Sequence, residues 1–364
     1  MITLPTAHVQ DALDLVMKND PKKFSQQNKI ELEALLDFCL REIDENTDKL
    51  LATLFIRALK KHVGPVGIDE HIYLKKFEVP QIKLFDLIIK HFPFVNLGQK
   101  ITNSLITDAM INTKKAVLID VGIGRGIQTV SLLNEIHQRK DIDIEEITVI
   151  GIEPFKEAIS EARRSIKTMA STLDIKLNFF GIDTFAEDIQ EEDLAKYLPD
   201  EDFDLFINAS LALHHIQTPS QRTDFIAEMA KLKPRAFLLT EPNVNNMEPD
   251  LYKRFQNSYE HFSHVFQVID GLNIKRKEKN ALKLFFGREI EDIIGKHNKE
   301  RFECHDKAEN WVSRLQDAGF KINKHFPYPV IKNNSSIRLE HSDKGFLGFN
   351  HKSETVLSII YAYI

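Results

Sequence analysis

One stretch constrains the fold more than any other: AVLIDVGIGRGIQTVSLL, residues 116 to 133. It reads as a buried strand, a glycine-rich turn and the opening of a helix. Such a turn brings backbone N–H groups and a helix N-terminus against a ligand. Alternation continues behind it. ITVIGIE, KLNFFGI, DLFINAS and AFLLTEP read as strands, separated by the helical KEAISEARRSIKTMASTL, the acidic and helical FAEDIQEEDLAKYL, and the helical TPSQRTDFIAEMAKL. Short β-branched and aromatic runs divided by helices predict an α/β fold, a doubly wound and mostly parallel sheet. Its ligand belongs at the carboxyl ends of the strands.

The flanking sequence differs. Residues 1 to about 112 read as helices. In NTDKLLATLFIRALKKHVGPVG, Leu50, Leu51, Leu54, Phe55, Ala58 and Leu59 recur at helical spacing. Thr47 or Asn46 caps the start, and Gly64 then Pro65 stop it. Residues 246–310 again read as helical. The tail returns to strands in FKINKHFPYP, GFLGFN and ETVLSIIYAYI, the last two pairing as an antiparallel hairpin across HKS. The expected organisation is a helical cap over 1–112, a Rossmann-like core over 113–364, and an insertion at 246–310 contributing to the cap.

Composition narrows the partners. A net charge of −6 leaves no global basic field for nucleic acid, and 43% hydrophobic residues over 364 positions suffice for a sizeable core. KRKEKNALK (Lys275 to Lys283) reads as a solvated loop. Two distant cysteines, Cys39 and Cys304, exclude a disulfide framework and a cysteine metal cluster, so no metal is expected. Cys304 beside His305 is weak evidence for a nucleophile. No run reaches the roughly 20 apolar residues that span a bilayer, and the N-terminus lacks a signal-peptide pattern. A cytoplasmic protein with no membrane partner is expected.

The turn itself discriminates among ligands. A dinucleotide turn needs G-x-G-x-x-G, yet its third glycine position is Ile127. The string is instead D-x-G-x-G-x-G, from Asp120 through Gly122, Gly124 and Gly126. It resembles the first motif of class I S-adenosylmethionine-dependent methyltransferases, in which the turn lies against the methionine part of the cofactor. Glu153, ending the second strand 33 residues after Asp120, can accept both hydroxyls of a ribose. Asp183, after the third strand, lies where such methyltransferases often hold the adenine amino group. The antiparallel terminal strands match the same family.

A longer series resembles GRAS-domain proteins. FDLFINASLALHHI resembles the family's apolar strand running into Leu-His-His. KLKPRAFLLTEPNVNN resembles the following strand, and LYKRFQNSYEHFSHVFQVID a helix of Arg-Phe and aromatics. LFFGREIEDIIGKHNKERFECHDKAENWVSRLQDAGF matches at Arg-Glu-Ile, Glu-Arg, Trp and Ala-Gly-Phe; DKLLATLFIRALKKHV resembles the first leucine-rich region. The resemblance covers most of residues 10–364. It implies a bacterial-type GRAS protein, since the plant forms usually lose the alternating glycines that this chain keeps. The family's final Ser-Ala-Trp here reads SIIYAYI.

The candidate chemistry follows. His214 and His215 come after the fourth strand, where one could act as a base while the other packs. Glu241, after the fifth, either binds an acceptor amine, acts as a base, or pairs structurally with an arginine such as Arg254 or Arg288. Asn208, with the cofactor group, and Asn243 read as wall residues. Trp311 reads as a helix-core anchor. The expected function is a methyltransferase of GRAS type using S-adenosylmethionine on a small-molecule acceptor enclosed by the cap, with the N-terminal helices as a possible homodimer surface. The alternative is a non-catalytic ligand-sensing or protein-interaction module.

Overall fold

The computed structural model describes residues 7–19, 24–40, 47–64, 81–329 and 336–364. In chain order the first elements are α1 (Ala7–Met17), α2 (Gln26–Leu40), α3 (Thr47–His62), α4 (Gln81–His91), α5 (Pro93–Ala109), β1 (Lys115–Val121), α6 (Ile127–Gln138), β2 (Glu146–Ile152), α7 (Lys156–Ala170) and β3 (Lys176–Ile182). There follow α8 (Glu191–Ala195), β4 (Asp204–Ser210), α9 (Pro219–Lys231), β5 (Ala236–Pro242), α10 (Leu251–Asp270), α11 (Arg276–Gly295), α12 (Ala308–Asp317), β6 (Lys321–Ile322), β7 (Arg338–Ser342), β8 (Phe346–His351) and β9 (Glu354–Tyr363). Among the described residues, no helix is long and apolar enough to cross a membrane.

The chain divides into two compact units. The first comprises Met1–Asn96, Val244–Asp306 and His351–Val356. Its centre is α3. The sequence pattern predicts one apolar face, but Leu51 to Ile56 are buried without a break, and Leu50 is half-buried. The reason is that α1, α2, α10 and α11 all pack on this one helix. Phe55 meets Phe255 and Tyr259, each at 4.9 Å between ring centroids. Gly287 lets α11 approach, because a Cβ there would lie 2.8 Å from Leu54. Asn46 and Pro65, the expected cap and stop of α3, lie outside the described residues. The basic run from Lys275 is not a loop but the opening of α11, and Lys283 is buried in a pair with Asp270. Cys304 is buried as well, its Sγ 3.8 Å from the Arg301 carbonyl. The turn between β8 and β9 belongs to this unit, where His351 and His264 share a hydrogen bond between their Nδ1 atoms at 2.9 Å.

The second unit comprises Leu97–Asn243, Lys307–Asn350 and Leu357–Ile364. Residues 97–112, grouped with the cap from sequence, therefore fall with the sheet: on α5, the Thr102 hydroxyl meets that of Thr240 on β5 at 3.0 Å. The strand order is β3-β2-β1-β4-β5-β9-β8-β7, with β6 pairing β9. The first five strands are parallel, and β9 runs antiparallel to β5. This is a Rossmann-like, doubly wound order. Because β2 and β4 flank β1 on opposite sides, the strand order reverses at β1, which opens a crevice at its carboxyl end. Ile119, Ile150, Ile207 and Phe237 are buried on one face of the sheet, and Trp311 of α12 is fully buried in the same core.

Local signals explain the boundaries. Thr218 caps α9 by accepting from the Gln221 amide, with Pro219 in the first helical position, where its missing N–H costs nothing. The acidic segment after β3 forms only a 3-10 turn at Ala186–Asp188 and the five-residue α8. FKINKHFPYP yields only the two-residue β6, Lys321–Ile322. β7, too polar to stand out in the sequence, forms an edge strand.

Candidate functional site

The site is built where β1 ends. Asp120 and Asn208 are register partners in the β1–β4 pair, and the Asn208 Nδ2 donates to Asp120 Oδ1 at 2.8 Å. The Thr129 hydroxyl, from the first turn of α6, donates to the other oxygen, Oδ2. Burial pushes the Asp120 carboxyl up to about 6, and these two hydrogen bonds oppose the shift. Asp120 thus ties β1, β4 and α6 together. It positions the turn and is itself only 4% exposed.

Gly122, Gly124 and Gly126 all have positive φ, at 71°, 52° and 75°. The first and last are also held by space. A Cβ on Gly122 would sit 2.6 Å from the Ala212 Cβ, and one on Gly126 would lie 3.1 Å from Ala162 of α7. Gly126 is the residue preceding α6 and supplies the left-handed bend that starts it. Beside Gly124, by contrast, a Cβ would meet nothing nearer than the Gly122 carbonyl oxygen at 4.0 Å, so this point of the turn is open.

Glu153 follows β2 and faces the turn. Its Oε2 accepts from the Gly124 amide at 3.1 Å, and its Oε1 accepts from the Phe155 amide at 3.3 Å. Burial raises this carboxyl, and the two amides pull it back down. Each oxygen retains a lone pair for a further donor. Asp183, one residue beyond β3, is exposed and pairs with Lys156 at 3.1 Å. Asp120, Glu153, Asp183 and Asn208 thus lie at or near the carboxyl ends of four adjacent parallel strands, β1 to β4.

The loop after β4 supplies the next groups. Leu211 has a φ of 55°, unusual for a residue with a side chain, and its amide donates to the Thr240 carbonyl at 2.8 Å. A 3-10 turn at Leu213–His215 carries His214, which is buried, and His215, which is half-buried; their rings lie 4.1 Å apart. Within this unit Glu241 binds two backbone amides and His214. Its Oε1 accepts from the Ala212 and Leu213 amides at 3.0 and 2.7 Å, and its Oε2 lies 2.6 Å from His214 Nδ1. Arg254, one of the expected partners, directs its guanidinium at the carbonyls of Ile293 and Glu248, at 3.0 and 2.7 Å. Asn243, expected in the wall, uses its Oδ1 to accept from the Ala308 amide at 2.9 Å and so caps α12.

Two residues of the site escape a motif reading. Thr129 is an ordinary helix residue until Asp120 is placed beside it. Arg222 left a visible signal: it falls on the apolar stripe of α9 with Phe225, Ile226 and Met229, at helical spacing. A cation in that stripe is buried, and Arg222 is fully so.

The family model of the GRAS domain matches residues 31–358. Among curated proteins, the chain is 22% identical over 274 residues to the DELLA protein RGL3 of Arabidopsis thaliana, covering 74% of this chain and 51% of that one. It is 24% identical over 287 residues to the Scarecrow-like transcription factor PAT1 of the same plant, covering 71% and 56%. The chain thus spans about half the length of these relatives. Among solved structures, SCL7 of Oryza sativa superposes with a TM-score of 0.79 at 17% identity, covering 98% of this chain and 99% of that one. A likeness at that identity speaks for the fold.

Proposed function

This chain belongs to the GRAS domain family, and from that membership and the form of its glycine turn we propose that it is an S-adenosylmethionine-dependent methyltransferase acting on a small-molecule acceptor. The observation that carries the reading is the turn itself. Three glycines with positive φ leave its middle open, and Glu153 is held against it by the Gly124 amide. A cofactor with a ribose and a charged sulfonium fits that donor set. Glu153 would hold the ribose hydroxyls, Asp183 the adenine amine, and the turn from Gly122 to Gly126 the methionine part, with Asp120 and Asn208 fixing the turn's position.

When bound, the cofactor supplies an already activated methyl group. The protein's own work is then alignment and exclusion of water, with a base where the acceptor is a hydroxyl or a protonated amine. His214, His215 and Glu241, at the same ends of β4 and β5, are the groups assigned to that acceptor side. A net charge of −6 favours a small acceptor over a nucleic acid. Two buried cysteines outside any disulfide, Cys39 and Cys304, suit a reducing cytoplasm.

Titration calorimetry with S-adenosylmethionine and S-adenosylhomocysteine tests the reading. Binding of both is expected, and no heat at millimolar ligand would overturn it. The second reading, a ligand-sensing or protein-interaction module, is favoured by the relatives, one of which is named a transcription factor. Cofactor binding without turnover across a broad acceptor screen would decide for that module.

A further inference from the structure

The methyltransferase reading does not use the histidine pair of the first unit. His264, on α10, is half-buried, and His351, at the end of β8, is 7% exposed. Their Nδ1 atoms lie 2.9 Å apart and their ring centres 5.1 Å apart. The second distance exceeds the first by nearly the depth of both rings, so the imidazoles meet almost end-on. That is the alignment of a hydrogen bond. A metal ion on the same line would hold the nitrogens about 4 Å apart, twice a metal–nitrogen bond of ~2.0 Å. The next residue adds a second contact. Lys352 Nζ donates to Gln267 Oε1 of α10, and Gln267 Nε2 donates to the Ser263 hydroxyl at 3.1 Å, which aims the amide. His264 and Gln267 are three residues apart, on one face of the helix. Two consecutive residues of the β8–β9 tip are therefore fastened to neighbouring positions of α10. Lys352 also has a φ of 56°, a conformation that a residue with a side chain keeps only where its surroundings enforce it.

We infer that His264 and His351 form a pH-sensitive latch: the neutral pair fastens the β8–β9 tip to α10, and protonation of both rings releases it. The logic is the same whichever ring donates. A hydrogen bond between two Nδ1 atoms needs a proton on one and a lone pair on the other. With both rings charged, each nitrogen is a donor, the bond is lost, and two like charges meet at contact distance. The surroundings set where this happens. Burial lowers both histidines below their ordinary 6.5. For His351, the His264 ring and Lys352 add to that effect; for His264, Glu354 opposes it and Lys352 adds to it. Both charged groups belong to the tip. Among the described residues, α3 and α11, which also pack on α10, bring no charge to bear on either ring. A ring that holds its proton less tightly in the closed tip than in the open one favours closure at high pH. The latch is therefore fully closed above 6.5 and gives way as pH falls through the lowered values. The inference goes beyond the methyltransferase reading and does not rest on it.

Nitrogen NMR reads the latch directly. At about pH 7.5, a coupling across the hydrogen bond is expected between the Nδ1 atoms of His264 and His351, and it should vanish by about pH 5. The signals are assigned through their loss in His264→Phe. Over the same range the amides from Lys352 to Glu354, corrected for the pH dependence of exchange itself, should lose protection by on the order of tenfold. In His264→Phe these amides should exchange at the faster rate throughout, with no step. Comparing the two proteins at each pH cancels effects that arise elsewhere in the chain. If that variant does not fold, His264→Gln, which cannot titrate, is likewise expected to show no step. Lys352→Met removes a cation that disfavours both protons, so the step should move to higher pH. Absent coupling at the higher pH, a step that persists in a folded His264 variant, or a step unmoved in Lys352→Met overturns the latch. Calorimetry with S-adenosylhomocysteine keeps the two ideas apart: absent binding sinks the cofactor reading and leaves the latch standing.

Discussion

Asp120 and Asn208 face each other across two parallel strands, and a single amide hydrogen bond of 2.8 Å joins them at the point where the sheet's strand order reverses. This pair, with Thr129, fixes the position of the turn that follows. It also places a carboxylate where water does not reach.

That placement has a pH signature. The folded protein holds the Asp120 proton more tightly than an unfolded chain, with the carboxyl raised from 3.8 to about 6. Its contribution to stability is therefore full below pH 3.8 and is lost as pH rises through about 6. The loss is on the order of 3 kcal/mol. Asp120→Asn keeps a group that can bond both Asn208 and Thr129 but cannot ionise. Urea unfolding of both proteins should show the variant gaining on the wild type between pH 4 and 6, by up to roughly that amount, and holding the gain above it. Parallel stability curves would falsify the buried-carboxylate account.

Gly122 is constrained twice, by a φ of 71° and by the Ala212 Cβ at 2.6 Å from any added methyl. Gly122→Ala should lower stability by about 1–3 kcal/mol. Adding Ala212→Gly removes the clash but not the backbone strain, so the double variant should recover only part of the loss. Full recovery, or none, in thermal melts would contradict this division.

Glu153 is held by amides and keeps lone pairs for hydroxyls. Glu153→Ala should abolish calorimetric binding of S-adenosylhomocysteine, while Glu153→Gln, which loses one acceptor, should weaken it by on the order of tenfold or more. Unchanged affinity in Glu153→Ala would remove the ribose assignment.

Phe55 is fully buried and touches Phe255, Tyr259 and Phe262. Phe55→Ala should cost about 3–5 kcal/mol. Far-UV circular dichroism during urea unfolding checks it; a shift under 1 kcal/mol would mean that α3 is not the centre of its unit.

Much of this protein was legible in its sequence. The strand–turn–helix alternation announced the parallel sheet, because apolar β-formers bounded by helices have few other ways to bury both faces. The string D-x-G-x-G-x-G announced the turn, and the terminal hairpin announced an antiparallel edge. The tail beyond Phe320 was less legible, because one expected strand forms over only two residues and the polar β7 carries no apolar signature.

Sequence alone therefore determined the elements and their order, since propensity, periodicity and glycine φ act over a few residues. Only tertiary structure decided the roles. It alone made Asp120 a tie between strands, set Asn243 at the start of α12, turned Glu241 towards His214, and buried Arg222 against Trp311. Each of those relationships joins residues distant in the chain. The physical reason is that a carboxylate or a guanidinium takes its function from the donors and acceptors that folding brings to it, and the local sequence does not name them.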